Sequence, residues 1–564
     1  MKLSLGISDY KKIIDGGYYY VDKTLLIEEL DHTSGLVLLI PRPRRFGKTL
    51  NLSMLRYFFE KSHTNTQYLF ENTLIWQNPK YQAMQGLYPV IFLSFKNAKV
   101  GSWEKSYARI QTEIIEEFER HSYVLEAFSE RAKTGNPEAI RIKSDYEAIL
   151  TRQATLEQYE RSLLFLTQVL YQYHNKDVIV LIDEYDVPIN DGYSRGYYTE
   201  IVDFIRSLLT TVLKDNKYLH RGILTGVLRL AKESIFSGLN NPIVSTLLDS
   251  EFSDKFGFTA EEVDHMLIDA RLEKLNFTIK EWYNGYAFGK TTIYNPWSVL
   301  ECIHKKGQVG PYWANTSDNF LIKKLITCSE KLIKSDLELL VQGHSVIHEV
   351  DGGLSYPEIR TNPKALWSLL LFTGYVTATH VDIREGRTFC TLALPNKEIK
   401  LLYNQLITTI FEEVLSLEKI HTLKEALFTG NGILFSELVQ DFISKSMSFF
   451  DMPSDEPERS YHLFILGLLV TFSDSYEVKS NRESGHGRYD IILIPRDSSL
   501  WAIILEFKKV SSDETMQEAA QKALKQIIDK DYIQELHVRS MKRVVAFGIA
   551  CQGKKIETIT HIFP

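Results

Sequence analysis

Three stretches of the chain place reactive side chains at the ends of apolar runs. In the first, Leu36-Val-Leu-Leu-Ile40 leads into Pro41-Arg-Pro-Arg-Arg-Phe-Gly47-Lys48-Thr49 and then a helical stretch, Leu50–Glu60. A strand, a turn and a helix opening on Gly-Lys-Thr is the anatomy of a loop that cradles nucleotide phosphates. The free N–H groups and the positive dipole end of the helix attract the phosphates. Lys48 would reach the β- and γ-phosphates and the Thr49 hydroxyl would ligate Mg²⁺, with Arg45, Phe46 and Gly47 in the turn. The usual spacing puts a glycine where this chain has Arg42. Alone, the tripeptide also fits a helix that merely begins that way.

In the second stretch, Val178–Ile182 ends in Asp183-Glu184-Tyr185-Asp186. An acid at the C-terminal end of an apolar parallel strand lies where α/β sheets bind ligands. Asp183 would hold the Mg²⁺ shell, and Glu184 would orient or deprotonate an attacking water. The alternative is a solvated acidic turn. The run Gly222–Val227 carries Thr225, either a γ-phosphate sensor or simply a β-branched strand residue. The lysine loop and the acidic strand together are far more specific than either alone.

The third stretch joins Gly487-Arg-Tyr-Asp490-Ile-Ile-Leu-Ile-Pro495 to Trp501-Ala-Ile-Ile-Leu-Glu506-Phe-Lys508. Two apolar runs read as an antiparallel hairpin. A turn centred near position 498 sets Asp490 opposite Glu506, and Lys508 shares their face because side chains alternate. Two carboxylates side by side repel unless a cation sits between them, and Mg²⁺ with oxygen ligands suits the place. Lys508 could then position a water or stabilise charge at phosphorus. Gln526, in the following helix, is a supporting candidate, and Glu458 upstream could supply a further acid. The plain alternative is an amphipathic hairpin with a charged exposed face.

The elements that must position these groups come from the pattern of the rest. The chain has 564 residues, 44% hydrophobic and 24% charged, an ordinary globular composition with room for several cores. Its net charge of −7 excludes binding nucleic acid by bulk charge, although residues 479–555 hold 14 Lys and Arg against 10 Asp and Glu. Cys302, Cys328, Cys390 and Cys551 share no short spacing, so no zinc or disulfide framework is expected. Neither a signal peptide nor a membrane span is expected, which points to the cytoplasm.

Short β-branched runs (Leu36–Ile40, Val90–Phe95, Val178–Ile182 and Gly222–Val227) alternate with helical stretches, as in a parallel sheet with helices on both faces. A charged helical insertion is expected from Lys99 to Tyr173, and a mostly helical region from Ser298 to Glu349. Helix Pro363–Leu371, strands Tyr375–Val381 and Thr388–Leu394, and a helix from Asn396 outline a winged-helix-like unit. Beyond a linker at Met452–Arg459, a compact unit should contain helix 457–472, strands 489–494 and 501–508, helix 512–529 and strand 543–549. The expected domains are 1–297, 298–451 and 452–564.

A series of motifs then resembles a known bacterial family, AAA-ATPase-like proteins with a C-terminal PD-(D/E)XK nuclease domain. It runs from Tyr19-Tyr-Val-Asp-Lys-Thr24 through Arg42–Thr49, Leu181–Asp186, Ile223–Val227 and Ser237-Gly-Leu-Asn240. It continues through Trp282–Tyr286, Tyr294–Ser298 and Tyr312–Thr316 to Gly487–Lys508 with Gln526. The family's loop usually reads RPRRFGK[ST], so Arg42 is a family trait. The resemblance implies an α/β chain: a P-loop NTPase, a helical and winged-helix-like middle, and a nuclease-like end. It implies ATP binding at Lys48 and Thr49, with Asp183 and Glu184 as the metal and water acids. It also implies Mg²⁺-dependent phosphodiester cleavage at Asp490, Glu506 and Lys508, with Mn²⁺ an alternative metal. DNA is the expected nucleic-acid partner ahead of RNA, and a homo-oligomer stays open. The competing reading is a signalling ATPase whose last domain binds nucleic acid without cutting it.

Overall fold

The structure is a computed structural model. It describes residues 1–563 apart from 63, 231–241, 315–335, 338, 361, 415–416, 447–464, 466–468, 470–474, 481–482, 485–486, 489, 512, 540, 542 and 553–554. The chain forms two compact units: Met1–Thr316 with Ile347–Glu398, and Ser317–Val346 with Ile399–Pro564.

The first unit is built on a parallel sheet. Its strands are β1 (Val37–Pro41), β2 (Val90–Ser94), β3 (Val178–Asp183), β4 (Leu219–Gly226) and the two-residue β5 (Ile243–Val244), in the order β2-β3-β4-β1-β5. Every residue of β1 and β3 is buried, so both faces of the sheet are covered, as parallel sheets require. The charged insertion folds as the expected helices, beginning with Trp103–Arg120 and ending with Ser162–His174. A small hairpin follows, β6 (Tyr286–Phe288) with β7 (Thr291–Ile293), and then helix Pro296–His304.

The region expected to stay helical to Glu349 instead ends in a strand, β8 (Val346–Val350). Its valine ends are buried and Ile347 points outward, the alternation of a strand rather than of a helix. Helix Pro363–Phe372 and strands β9 (Thr377–Arg384) and β10 (Arg387–Ala393) realise the helix-plus-hairpin outline, with β8 added to give the order β8-β10-β9. β9 runs three residues further toward the turn than expected and β10 starts one residue earlier, because the turn is only Glu385-Gly386. These residues, at φ 49° and 75°, suit the tight two-residue hairpin turn.

The second unit centres on a mixed sheet. Its strands are β11 (Tyr476–Ser480), β14 (Ile491–Pro495), β15 (Ala502–Lys509), β16 (Val544–Gln552) and β17 (Lys555–Phe563), in that order. A short ladder, β12 (Glu483–Ser484) with β13 (Gly487–Arg488), stands beside it. Alternation divides the apolar residues between two cores. Ile491, Leu493, Ile503, Leu505 and Phe507 pack with Leu423, Leu427 and Phe435 of helices Leu417–Thr429 and Gly432–Ser446. Ile492, Ile494, Ala502 and Ile504 pack with Leu524 and Ile527 of helix Met516–Asp529 and with Tyr532 and Leu536. That helix begins four residues later than expected because Thr515 and Glu518 form a capping box. The expected helix 457–472 and linker Met452–Arg459 lie almost wholly outside the described residues.

Candidate active sites

The phosphate loop spans Arg42–Gly47 between β1 and helix Lys48–Phe59. Gly47 sits at the helix start with φ 87°, no side chain caps that end, and a Cβ built on Gly47 meets nothing within 4 Å. With no side-chain cap, the first N–H groups and the positive end of the helix suit an anionic phosphate. Lys48 is buried, and its Nζ donates to the Pro43 carbonyl (3.3 Å) and pairs with Glu184 Oε1 (3.3 Å).

The sheet order sets β4 between β1 and β3, and register lays Asp183 beside both Ser94 and Thr225. Asp183 is fully buried and accepts three hydroxyls: Thr49 on Oδ2 (2.8 Å), Ser94 on Oδ2 (3.2 Å) and Thr225 on Oδ1 (2.8 Å). Burial and the neighbouring Glu184 charge raise its pKa, while the Thr49 and Thr225 hydroxyls and Lys48 work against that rise. Thr49 and Asp183 are already within contact, and together they fit the oxygen preference of Mg²⁺. Two residues of the site hold left-handed backbone without being glycine, Arg45 (φ 68°) and Glu184 (φ 53°), a strain that clusters at functional positions.

Thr225 therefore faces the site through its hydroxyl. The Phe46 ring, by contrast, is buried against Tyr286 (5.0 Å) and Phe288 (5.2 Å), and its carbonyl accepts the Gly257 N–H (3.0 Å). Arg45 lies over the Trp297 ring at 4.4 Å. Arg42 is not a phosphate ligand. It is wholly buried, donates to the carbonyls of Ser245 (2.7 Å) and Glu251 (3.3 Å), and lies over Phe256 and Phe288. Sequence reasoning missed Ser94, although a serine closing the apolar run Val90–Leu93 was a usable signal.

The hairpin of the second unit has the register expected of it: Ile491 pairs with Leu505 and Ile492 with Ile504, so Asp490 lies opposite Glu506. The Phe507 N–H donates to Asp490 Oδ2 (2.8 Å), and the Asp490 N–H donates to Glu506 Oε2 (3.3 Å). Gln526 donates its amide to Glu506 Oε1 and also to the Tyr532 hydroxyl (3.1 Å). Phe507 points into the opposite core, which places Lys508 on the face of Glu506. Burial raises the Tyr532 pKa, with Glu506 and Asp490 adding to the rise.

Helix Met516–Asp529 reaches this close because Gly548, paired with Glu506, has no side chain. A Cβ there would stand 2.3 Å from the Ala520 carbonyl oxygen. Neither Gly548 nor Tyr532 was singled out by sequence reasoning. The small-residue face Ala519, Ala520 and Ala523 opposite a strand glycine was the available signal. Among the described residues no cluster of three or more His, Cys, Asp or Glu forms, and Asp490 and Glu506 are the two carboxylates paired here. That set fits Mg²⁺, which is commonly held by one or two carboxylates and keeps several waters. Glu458 lies outside the described residues.

A parallel-sheet unit with a lysine loop and an acidic strand, followed by a mixed-sheet unit with an acid–acid–lysine hairpin, defines a two-module ATPase-like and nuclease-like class. Family comparison agrees: residues 4–236 match the model described as "Predicted AAA-ATPase" and residues 456–561 match the PD-(D/E)XK nuclease superfamily. The chain thus carries an AAA-ATPase-like domain and a PD-(D/E)XK nuclease superfamily domain. Among individual proteins it is similar to one from Azotobacter chroococcum, described as an uncharacterized protein in the vnfD 5′ region. The two are 26% identical over 557 residues, covering 95% of this chain and 94% of the relative. No helix among the described residues is long and apolar enough to cross a membrane.

Proposed function

We propose that the protein is an ATP-binding and ATP-hydrolysing switch coupled to a Mg²⁺-dependent nuclease that cleaves phosphodiester bonds. The observation that carries the nuclease half is the pairing of Asp490 and Glu506 across the hairpin, with the Phe507 N–H and the Gln526 amide donating to them. Such a pair asks for a cation. Mg²⁺ held by Asp490 and Glu506 would supply charge stabilisation at phosphorus and acidify a bound water. Lys508 orients that water or stabilises the charge developing on the phosphate oxygens. Gln526 and the Phe507 N–H keep the two carboxylates in their rotamers.

In the first unit, Lys48 and the helix N-terminus bind the phosphates, while Thr49 and Asp183 hold the nucleotide's Mg²⁺. Glu184, one residue beyond Asp183, orients the attacking water, and Thr225 senses the γ-phosphate through its bond to Asp183. DNA is the nucleic acid we favour, in defence against mobile DNA or association with it. The test is incubation of the full chain with DNA and RNA substrates, Mg²⁺ or Mn²⁺, with and without ATP. Metal-dependent cleavage is expected. ATP turnover without cleavage under any condition would replace this reading with a signalling ATPase whose last domain only binds nucleic acid.

A further inference from the structure

Glycine-rich phosphate loops take their shape from their own backbone. This loop is held from outside instead. Pro43 packs on Gly374, where a Cβ would approach to 3.2 Å. The Arg44 carbonyl accepts the indole N–H of Trp313 (3.0 Å), Arg45 lies over Trp297, and Phe46 packs on Tyr286. With Arg42 bound to Ser245 and Glu251, each loop residue but Gly47 has a support drawn from residues 245–374.

One carboxylate ties these supports together. Glu398 is fully buried and accepts the backbone N–H of Trp313 (2.6 Å) and of Ala314 (3.4 Å) on one oxygen. Its other oxygen accepts the hydroxyl of Ser298 (2.8 Å), the neighbour of Trp297. Burying a carboxylate is costly, and every donor that offsets the cost here lies on or beside a residue that touches the loop.

We propose that Trp313 and Glu398 are positioning residues of the ATP site: Glu398 fixes Trp313, and the Trp313 indole fixes the Arg44 carbonyl and so the conformation of the phosphate loop. This rests on the ATP reading above. Nucleotide affinity should then depend on an aromatic residue 265 positions beyond Lys48 that has no part in the chemistry.

The test uses the full chain with ATP and Mg²⁺. Trp313→Phe keeps a ring and removes the donor. Its Kd for ATP should rise about tenfold, the worth of one hydrogen bond, with unchanged affinity for Mn²⁺ alone at the C-terminal site. Glu398→Gln keeps one good acceptor and should raise the Kd by less. A second measurement needs no variant: on wild type, ATP should slow hydrogen exchange of the Trp313 and Ala314 amides together with residues 42–49. Unchanged affinity in Trp313→Phe, or protection of 42–49 with none at 313–314, overturns the proposal while leaving ATP binding intact. A wild-type chain that binds no ATP removes both readings at once.

Discussion

The two sites solve the problem of buried acids differently. In the first unit Asp183 is surrounded by three hydroxyl donors, and the adjacent Glu184 is already paired with Lys48 at 3.3 Å. In the second unit Asp490 and Glu506 face each other across the hairpin, where backbone N–H groups and the Gln526 amide donate to them. The first site holds a lysine–glutamate pair beside its acid. The second sets two carboxylates opposite each other across a hairpin. A nucleotide must therefore displace an internal ion pair in the first unit.

The sharpest way to break this contrast is to empty the second site. Asp490→Ala and Lys508→Ala should each lower cleavage at least about 100-fold. Excess metal should partly restore the first variant only, since Lys508→Ala keeps both carboxylates. Equal rescue of both would show that Lys508 belongs to metal binding. In the first unit, Lys48→Ala should weaken ATP binding about 100-fold, the loss of a charge-assisted contact, which titration calorimetry can read. Undiminished affinity would mean that the Lys48–Glu184 pair is structural.

Glu184→Gln should then separate affinity from turnover: hydrolysis falls about 100-fold while ATP still binds as tightly or tighter, because the pair holding Lys48 is weakened. Gly548→Ala forces the helix bearing Gln526 off the sheet. We expect about 1–3 kcal/mol lost in urea unfolding of the second unit, with slower cleavage and untouched ATP binding.

The smallest effect concerns pH. Burial pushes the Glu398 carboxyl up to about 7, although Ser298, Trp313 and Ala314 donate to it and favour its ionised form. Its folded pKa exceeds the ordinary value of 4.5, so its contribution to stability is fully present below about pH 4.5 and fades as pH rises through about 7. Glu398→Gln stays neutral, so its stability relative to wild type should rise between pH 5 and 8. Tyr283, Tyr286 and Tyr312, the tyrosines that feel its charge, all have pKa values raised by burial and remain neutral in that window. A flat difference between the two proteins across that range would contradict the assignment.

Much of this was legible in residues. The Asp490–Glu506 register followed from two apolar runs and a turn, because period-two alternation fixes a whole face once one pair is set. The β1–helix and β3 motifs were equally plain, since a parallel buried strand reads as a continuous apolar run. What escaped lacked local pattern. β5 is two residues long, and β17 alternates Thr, His and Ile over nine residues that are mostly half-buried or exposed. Trp313, Glu398 and Tyr532 act through contacts that no spacing announces. Arg42 reads in the sequence as a family trait, and the reason for it, partners more than two hundred residues away, leaves no local signal.

Those distant partners carry a consequence for biosynthesis. The buried guanidinium of Arg42 finds its acceptors at Ser245 and Glu251, 203 and 209 residues later in the chain. At about 5–20 residues per second, a ribosome needs on the order of 10–40 s to make that stretch. Until then the lysine helix can form, but the Arg42 guanidinium before it has only the Pro41 carbonyl of its final acceptors. A nascent or truncated chain ending before residue 243 should therefore display the Gly-Lys-Thr motif without measurable ATP affinity, and nucleotide capture becomes a late event that reports a nearly finished first unit.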